Sequence, residues 1–478
     1  MAAPRFGTNP FTLGVASGDP APDGVVLWTR LAPDPLATDG SAGMPPRVVP
    51  VHWEVAEDEA FGRIVRRGTE PAMPELGHSV HAEVHGLRPS ADYFYRFRAG
   101  AEISPVGRTS TAPDPRRRTD AVTFALASCQ SWAGGRYAAY RTMAQEDLDL
   151  VVHVGDYVYE GRDTETLANF RRIHAQYKTS PDLQAAHAAF PFVVTFDDHE
   201  IENNWAGGVS QPDGEASNEP ARFAALRAAA FQAYYEHLPL RRIARPQGAS
   251  IRLHRRVGYG DLATFHVLDT RQYRDPQLDP GFPSAPLHPA SADPARTFTG
   301  TEQERWLFDG LDRSAARWNV LAQQTIMAHF DYDTGPGVAV NHDQWDGYAA
   351  ARQRVLDFVA QRRPSNPVVV TSDWHSSWVN DLTAVATDPT SAVVATEFVG
   401  TSISSGCGWA DEVAAAVPHN PQVKFFDGAR RGYVRCEVTP QEWRSDYRVV
   451  ASAADTAAPA TTLTSWVVAD GRPGAVPA

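Results

Sequence analysis

Four mostly apolar runs in this chain each end in a cluster of ionisable groups, and this repetition constrains the fold more than any other feature. Residues 122–127 lead into Ser128-Cys129-Gln130, and residues 150–154 into Gly155-Asp156-Tyr157-Val158-Tyr159-Glu160. Residues 191–196 lead into Asp197-Asp198-His199-Glu200-Ile201-Glu202-Asn203-Asn204, and residues 367–371 into Ser372-Asp373-Trp374-His375. Short apolar runs of this kind suit strands buried on both faces, as in parallel sheets. Between the first two runs, residues 135–146 carry apolar and aromatic positions at helical spacing. A strand–helix–strand unit of this length makes the strands parallel, with a right-handed crossover. Cys129 and Asp156 with Tyr159 are therefore expected at the C-terminal edge of one sheet, where open α/β sheets place ligands. The same reasoning puts all four clusters on one edge.

Taken singly, each cluster is unremarkable. An Asp after a strand is ordinary turn chemistry, a buried Cys is a small hydrophobe, and a Tyr packs well in a core. Brought together they become metal ligands. A hard trivalent iron takes phenolate and carboxylate oxygen, and its charge stabilises a thiolate. That assigns Cys129, Asp156 and Tyr159 to one cation, with His375 as a candidate fourth ligand. A second cation would share Asp156 as a bridge and take Asp198, Asn203 and Asp373, with Asp197 in reserve. These are oxygen donors, which favour calcium, magnesium or manganese over zinc. His199 stands beside them as a proton donor, or as a hydrogen-bond donor to developing charge. Arg227 or Arg271 is a candidate clamp on an oxyanion, although either reads equally well as an ordinary ion pair.

A chain of 478 residues is long enough for two domains. Its formal charge of −13 speaks against a nucleic-acid-binding surface. Its apolar runs are too short for a membrane-spanning helix. Residues 8–110 alternate short β-branched and aromatic runs with Gly, Pro and Asp turns, as in an all-β sandwich. Asp19 reads there as a turn residue. The Pro- and Arg-rich stretch 111–120 reads as a linker. The expected division is a β-sandwich over 8–112 and an α/β domain over 119–478. In the latter, residues 205–220 form a loop over the site, 221–237 a helix, 275–300 an irregular Pro-rich segment and 432–449 closing antiparallel strands. Three cysteines leave at least one thiol free. The first residues carry no signal-peptide pattern, which fits a cytosolic chain or one whose signal has been trimmed.

Several longer motifs resemble the PhoD-type alkaline phosphatases, relatives of the purple acid phosphatases. They are Leu13-Gly-Val-Ala-Ser-Gly-Asp-Pro20, Ser128-Cys-Gln130, Gly155-Asp-Tyr-Val-Tyr-Glu160, Phe196-Asp-Asp-His-Glu-Ile-Glu-Asn-Asn204, Leu268-Asp-Thr-Arg-Gln-Tyr-Arg-Asp275 and Phe398-Val-Gly-Thr-Ser-Ile-Ser-Ser-Gly406. The resemblance implies an N-terminal fibronectin-III- or Ig-like sandwich before an α/β metallophosphatase domain, itself a mixed β-sandwich flanked by helices. It implies an exported, secreted or periplasmic, phosphomono- or phosphodiesterase acting on small phosphate esters and phosphodiester polymers. It also implies Fe³⁺ held by Cys129, Asp156, Tyr159 and His375, and Ca²⁺ held by Asp156, Asp198, Asn203 and Asp373. The catalytic set would be His199, Asp156 and Arg227. Ser372 stands where the family more often has Gly, and a local backbone change is expected there. Two other readings remain open. One is a metal-stabilised extracellular binding protein with little turnover, and the other is a promiscuous phosphotriesterase of the same fold. A serine esterase would need Gly-X-Ser-X-Gly, which Gly400-Thr-Ser-Ile-Ser-Ser-Gly406 does not supply.

Overall fold

The computed structural model describes residues 5–135, 137–161, 163–210, 219–455 and 457–478. Half of the expected loop over the site, residues 211–218, lies outside the described residues.

The run Val122–Ala127 pairs in parallel with Leu150–His153, which pairs in parallel with Pro191–Val194. Alternate residues of these strands face opposite ways, as the pleat requires. Phe124, Leu126, Val152 and Val193 enter an inner core. Ala125, Val151, Phe192 and Val194 meet the helices outside, among them Tyr140, Phe170, Leu183 and Phe231. Both faces are dry, and this is why the runs are apolar throughout rather than alternating.

The fourth run corrects the sequence reading. Pro367–Thr371 belongs to a second sheet, between Trp318–Ala322 and Val393–Val399 and parallel to both. This sheet has seven strands among the described residues and lies face to face with the first. Phe265, Val320, Val370 and Phe398 share the inner core with Phe124, and the rings of Phe124 and Phe265 meet edge to face at 5.1 Å. Helices Thr301–Arg313 and Ala349–Arg362 cover its outer side through Leu307, Leu311, Val355 and Leu356. The layers are thus helix, sheet, sheet, helix. An apolar run declares that it is buried on two faces but not in which of two stacked sheets it lies, so the single edge expected from sequence is two edges brought together. Gln324 ties them: its side-chain N–H₂ donates to Thr195 Oγ1 at 2.9 Å, Phe196 O at 2.8 Å and Leu268 O at 3.0 Å.

The first sheet has ten strands among the described residues, and three come from the N-terminal region: Val15–Ala21, Gly24–Arg30 and Ser79–His85. Ser17 lies opposite Pro191 and Gly18 opposite Phe192. Val49–Ala56, Ile64–Ala72, Asp92–Ala99, Glu102–Ile103 and Gly107–Ser110 form a further sheet. It shares a core of Val25, Leu27, Val51, Tyr95 and Phe97 with those three strands. This is an all-β sandwich whose second leaf continues into the central sheet. Asp19 is more than a turn residue: it is buried and accepts from Arg255 Nη2 at 2.7 Å. One other expectation shifts. The helix expected over 135–146 is Ala138–Met143, entered through Tyr137 at φ 59°. Helix Pro220–His237 forms as expected.

Candidate metal centre

The candidate cation-binding groups come from turns at the C-terminal ends of both sheets. Cys129, Asp156 and His375 place donor atoms within 4.8 Å of one another, as do Asp156, Asp198 and His199, and as do Asp156, Asp197, Asp198 and Asp373. Asp156 is common to all three groups. Tyr159 joins the first: its hydroxyl donates to Asp156 Oδ2 at 2.9 Å, lies 2.9 Å from His375 Nε2 and accepts from Ser405 Oγ at 2.8 Å.

Four of these residues have left-handed backbones: Cys129 at φ 53°, Asp156 at 53°, Asp373 at 64° and His375 at 53°. Such conformations are uncommon for residues with a Cβ and cluster at functional sites. Gly155, at φ 116°, cannot be replaced without displacement, because a Cβ there would stand 2.4 Å from Cβ of Asp197. Ser372 tolerates its side chain. Its φ is not positive, and its hydroxyl donates to Gly400 O at 2.8 Å and touches Ser128 Oγ across the two sheets.

The donor set fits cations. Asp156 Oδ1 and Asp198 Oδ1 are buried with no hydrogen-bond partner among the described residues, a costly arrangement for carboxylate oxygens unless something positive meets them. Burial, then the neighbouring Asp156, pushes the Cys129 thiol well above its ordinary value. Burial raises Asp373 to about 8 against the pull of Arg271. A cation reverses both tendencies.

Arg271 is fully buried among these acids. Nε donates to Asp197 Oδ1 at 2.5 Å, Nη1 pairs with Asp343 Oδ1 at 2.7 Å, and Nη2 lies 3.8 Å from Asp198 and from Asp373. It acts as a fixed counter-charge in the wall of the site. Arg227 is not brought to the acids. Its Nη1 donates to Gly207 O at 2.7 Å, and its guanidinium lies over the rings of Trp205, Phe223 and Phe231. His199 accompanies the acids, with Nδ1 held 2.8 Å from Glu160 Oε2 and its ring 4.2 Å from that of Tyr159. Burial would lower its pKa, but Glu160, Asp198 and Asp156 together hold it well above the ordinary value. Asn203 follows in the same turn, its backbone N–H donating to Glu160 Oε1 at 2.9 Å.

Two supports were missed in the sequence. Glu200 accepts backbone N–H groups from Tyr157 at 2.7 Å, Asp197 at 3.0 Å and Asp156 at 3.1 Å, buckling two strand ends together. Its place inside Asp197-Asp-His-Glu200 was a usable signal. The other is the loop Asn341–Asp346. Asp343 also takes Arg274 Nη2 at 2.5 Å, and Gln344 donates to Asp373. The stretch follows only the two-residue strand Ala339–Val340, too short a run to stand out beside the longer apolar strands that mark the other residues.

The profile of the PhoD-like phosphatase family matches residues 124–447, and that of the PhoD-like phosphatase N-terminal domain matches residues 1–113. Alkaline phosphatase D of Bacillus subtilis (strain 168) is 48% identical over 486 aligned positions, covering 98% of this chain and 82% of the relative. A solved structure described as that of PhoD superposes with a TM-score of 0.94 at 46% identity, covering 99% of this chain and 93% of the other. Purple acid phosphatase PPD1 from yellow lupin (Lupinus luteus) seeds gives a TM-score of 0.58 at 13% identity over 95% of this chain and 73% of that one, a likeness of fold alone.

Proposed function

The chain belongs to the PhoD-like phosphatase family and is a hydrolase of phosphoric esters; from that premise we propose that it works at a two-cation centre bridged by Asp156. The observation that carries this reading is that Asp156 belongs to all three donor groups and keeps a buried oxygen with no partner among the described residues. Fe³⁺ would be held by Cys129, Asp156, Tyr159 and His375, and Ca²⁺ by Asp156, Asp198, Asn203 and Asp373. When bound, the cations supply positive charge to the phosphoryl oxygens and make water more acidic.

The chain's own groups do the rest. The left-handed turns fix the donors before substrate arrives, so little reorganisation is left for the reaction. Glu160 holds His199 through Nδ1, which leaves Nε2 to give a proton to the departing ester oxygen. Arg271 holds the acids of the second subsite together, and because its Nε and Nη1 are already paired it is not free to swing onto substrate. Export from the cytoplasm belongs to the same reading and rests on the family resemblance.

The test is a chelation series on purified protein with mono-, di- and triesters. Turnover should vanish with metal removal and return when iron and calcium are restored together. Undiminished turnover by metal-free protein would defeat the two-cation centre while leaving the family assignment intact.

A further inference from the structure

The turn Asp373-Trp374-His375 sets an indole between two candidate ligands. The Trp374 ring lies 5.1 Å from that of Trp409 and 6.4 Å from Tyr332. Phe282 lies 5.7 Å from Trp374 and meets Trp409 edge-on at 5.0 Å. Trp409 in turn lies 5.4 Å from the ring of His375, inclined by 35°. The rings therefore run unbroken from a candidate metal ligand to Phe282 in the Pro-rich segment.

Core packing explains Trp374, which is 4% exposed, but not Phe282, which is 56% exposed at the outer end of the series. There is also room. His375 Nδ1 lies 2.6 Å from Gly406 O, and a Cβ added at Gly406 or Gly408 would meet nothing within 4 Å.

We propose that Phe282, Trp409 and Trp374 form the wall of a subsite that receives a planar aromatic substituent of the phosphate ester, making aryl phosphates and aryl phosphodiesters the favoured substrate class. The proposal rests on the phosphoesterase reading and adds to it which esters bind best. Ring pairs gain from edge and offset-stacked contact beyond the area they bury, so a rigid ring wall separates a planar arm from a small alkyl arm.

The test is calorimetric titration of the metal-loaded protein with phenylphosphonate, methylphosphonate and inorganic phosphate, which needs no turnover. Phenylphosphonate should bind about tenfold more tightly than methylphosphonate, the size of effect one ring contact gives. In Phe282→Ala and Trp409→Ala that ratio should fall towards one, and Trp409→Phe should restore most of it. Phe282 is exposed, so its variant tests the wall even if loss of Trp409 disturbs folding. Equal affinities for the two phosphonates in the wild type, or an unchanged ratio in Phe282→Ala, would overturn the subsite. Wild-type turnover on 4-nitrophenyl phosphate, measured alongside, separates the two failures. Turnover without ring preference sinks only the subsite, and ring preference without turnover sinks only the enzyme reading.

Discussion

The two sheets contribute unequally to the centre between them. The ten-stranded sheet sends Cys129, Asp156, Tyr159 and Asp198, four of the candidate donors, from the ends of three adjacent parallel strands. The seven-stranded sheet sends Asp373 and His375 from one strand, and Arg271 from the end of another. Behind Arg271 and Asp373 stands the loop Asn341–Asp346. One side is therefore rich in candidate ligands, and the other supplies fewer of them with much more bracing. Carboxylates crowded in a dry site repel one another unless cations or fixed counter-charges intervene, and the chain has placed its only fixed guanidinium contact with these acids, among the described residues, on the ligand-poor side.

The largest expected effect tests the ligand-rich side. Asp156→Asn should lower turnover on the order of a thousandfold and deplete both metals while the circular dichroism spectrum is kept. Tyr159→Phe should mainly reduce iron. Normal metal content in Asp156→Asn would mean that the carboxylate merely caps its turn, a role worth only about 1 kcal/mol.

Asp343→Asn probes the bracing. It removes one charge partner of the buried Arg271, a change that typically costs about 3–5 kcal/mol in a buried pair. Loss of such an outer support weakens metal binding roughly 10–100-fold. Calcium should fall before iron in elemental analysis. Equal loss of both metals would erase the contrast between the two sides.

The smallest effect lies behind the ten-stranded sheet. Lys178 is buried, with Nζ 4.2 Å from the ring centre of Trp28 and 5.5 Å from that of Tyr157. Burial lowers its pKa from 10.5 to about 7. Between those values the unfolded chain binds the proton that the folded chain has released, so the penalty is full below pH 7 and fades as pH rises to 10.5. Lys178→Met should be more stable than wild type at pH 6.5, with the gap closing towards pH 10 in denaturant titrations. A gap that stays constant with pH would show that Lys178 keeps its proton, held by the two rings.

Most of the candidate donors that the structure brings together could be picked out in the sequence because each lies in the turn after an apolar strand, and strand ends of parallel sheets share an edge. The all-β N-terminal sandwich was legible from its alternation and turns, and the helix Pro220–His237 from its span. What could not be read depends on contacts between distant segments. The assignment of Pro367–Thr371 to a second sheet is one case. Another is the passage of the central sheet into the N-terminal region through Ser17 and Pro191. Arg227 and Arg271 looked alike as side chains, and only their neighbours distinguish them: aromatic rings for one, acids for the other.

The left-handed turns carry a consequence for how this centre can change over generations. Cys129, Asp156, Asp373 and His375 hold their backbone conformation through strand ends that belong to the scaffold. A lineage released from catalysis would still have to satisfy those turns. Glycine and asparagine would then be the easiest replacements, while valine and isoleucine would be rejected. The scaffold thus keeps a memory of the centre. A descendant that had lost the centre would favour glycine or asparagine at these four strand ends, and reversion there would need side chains alone, with the backbone already in place.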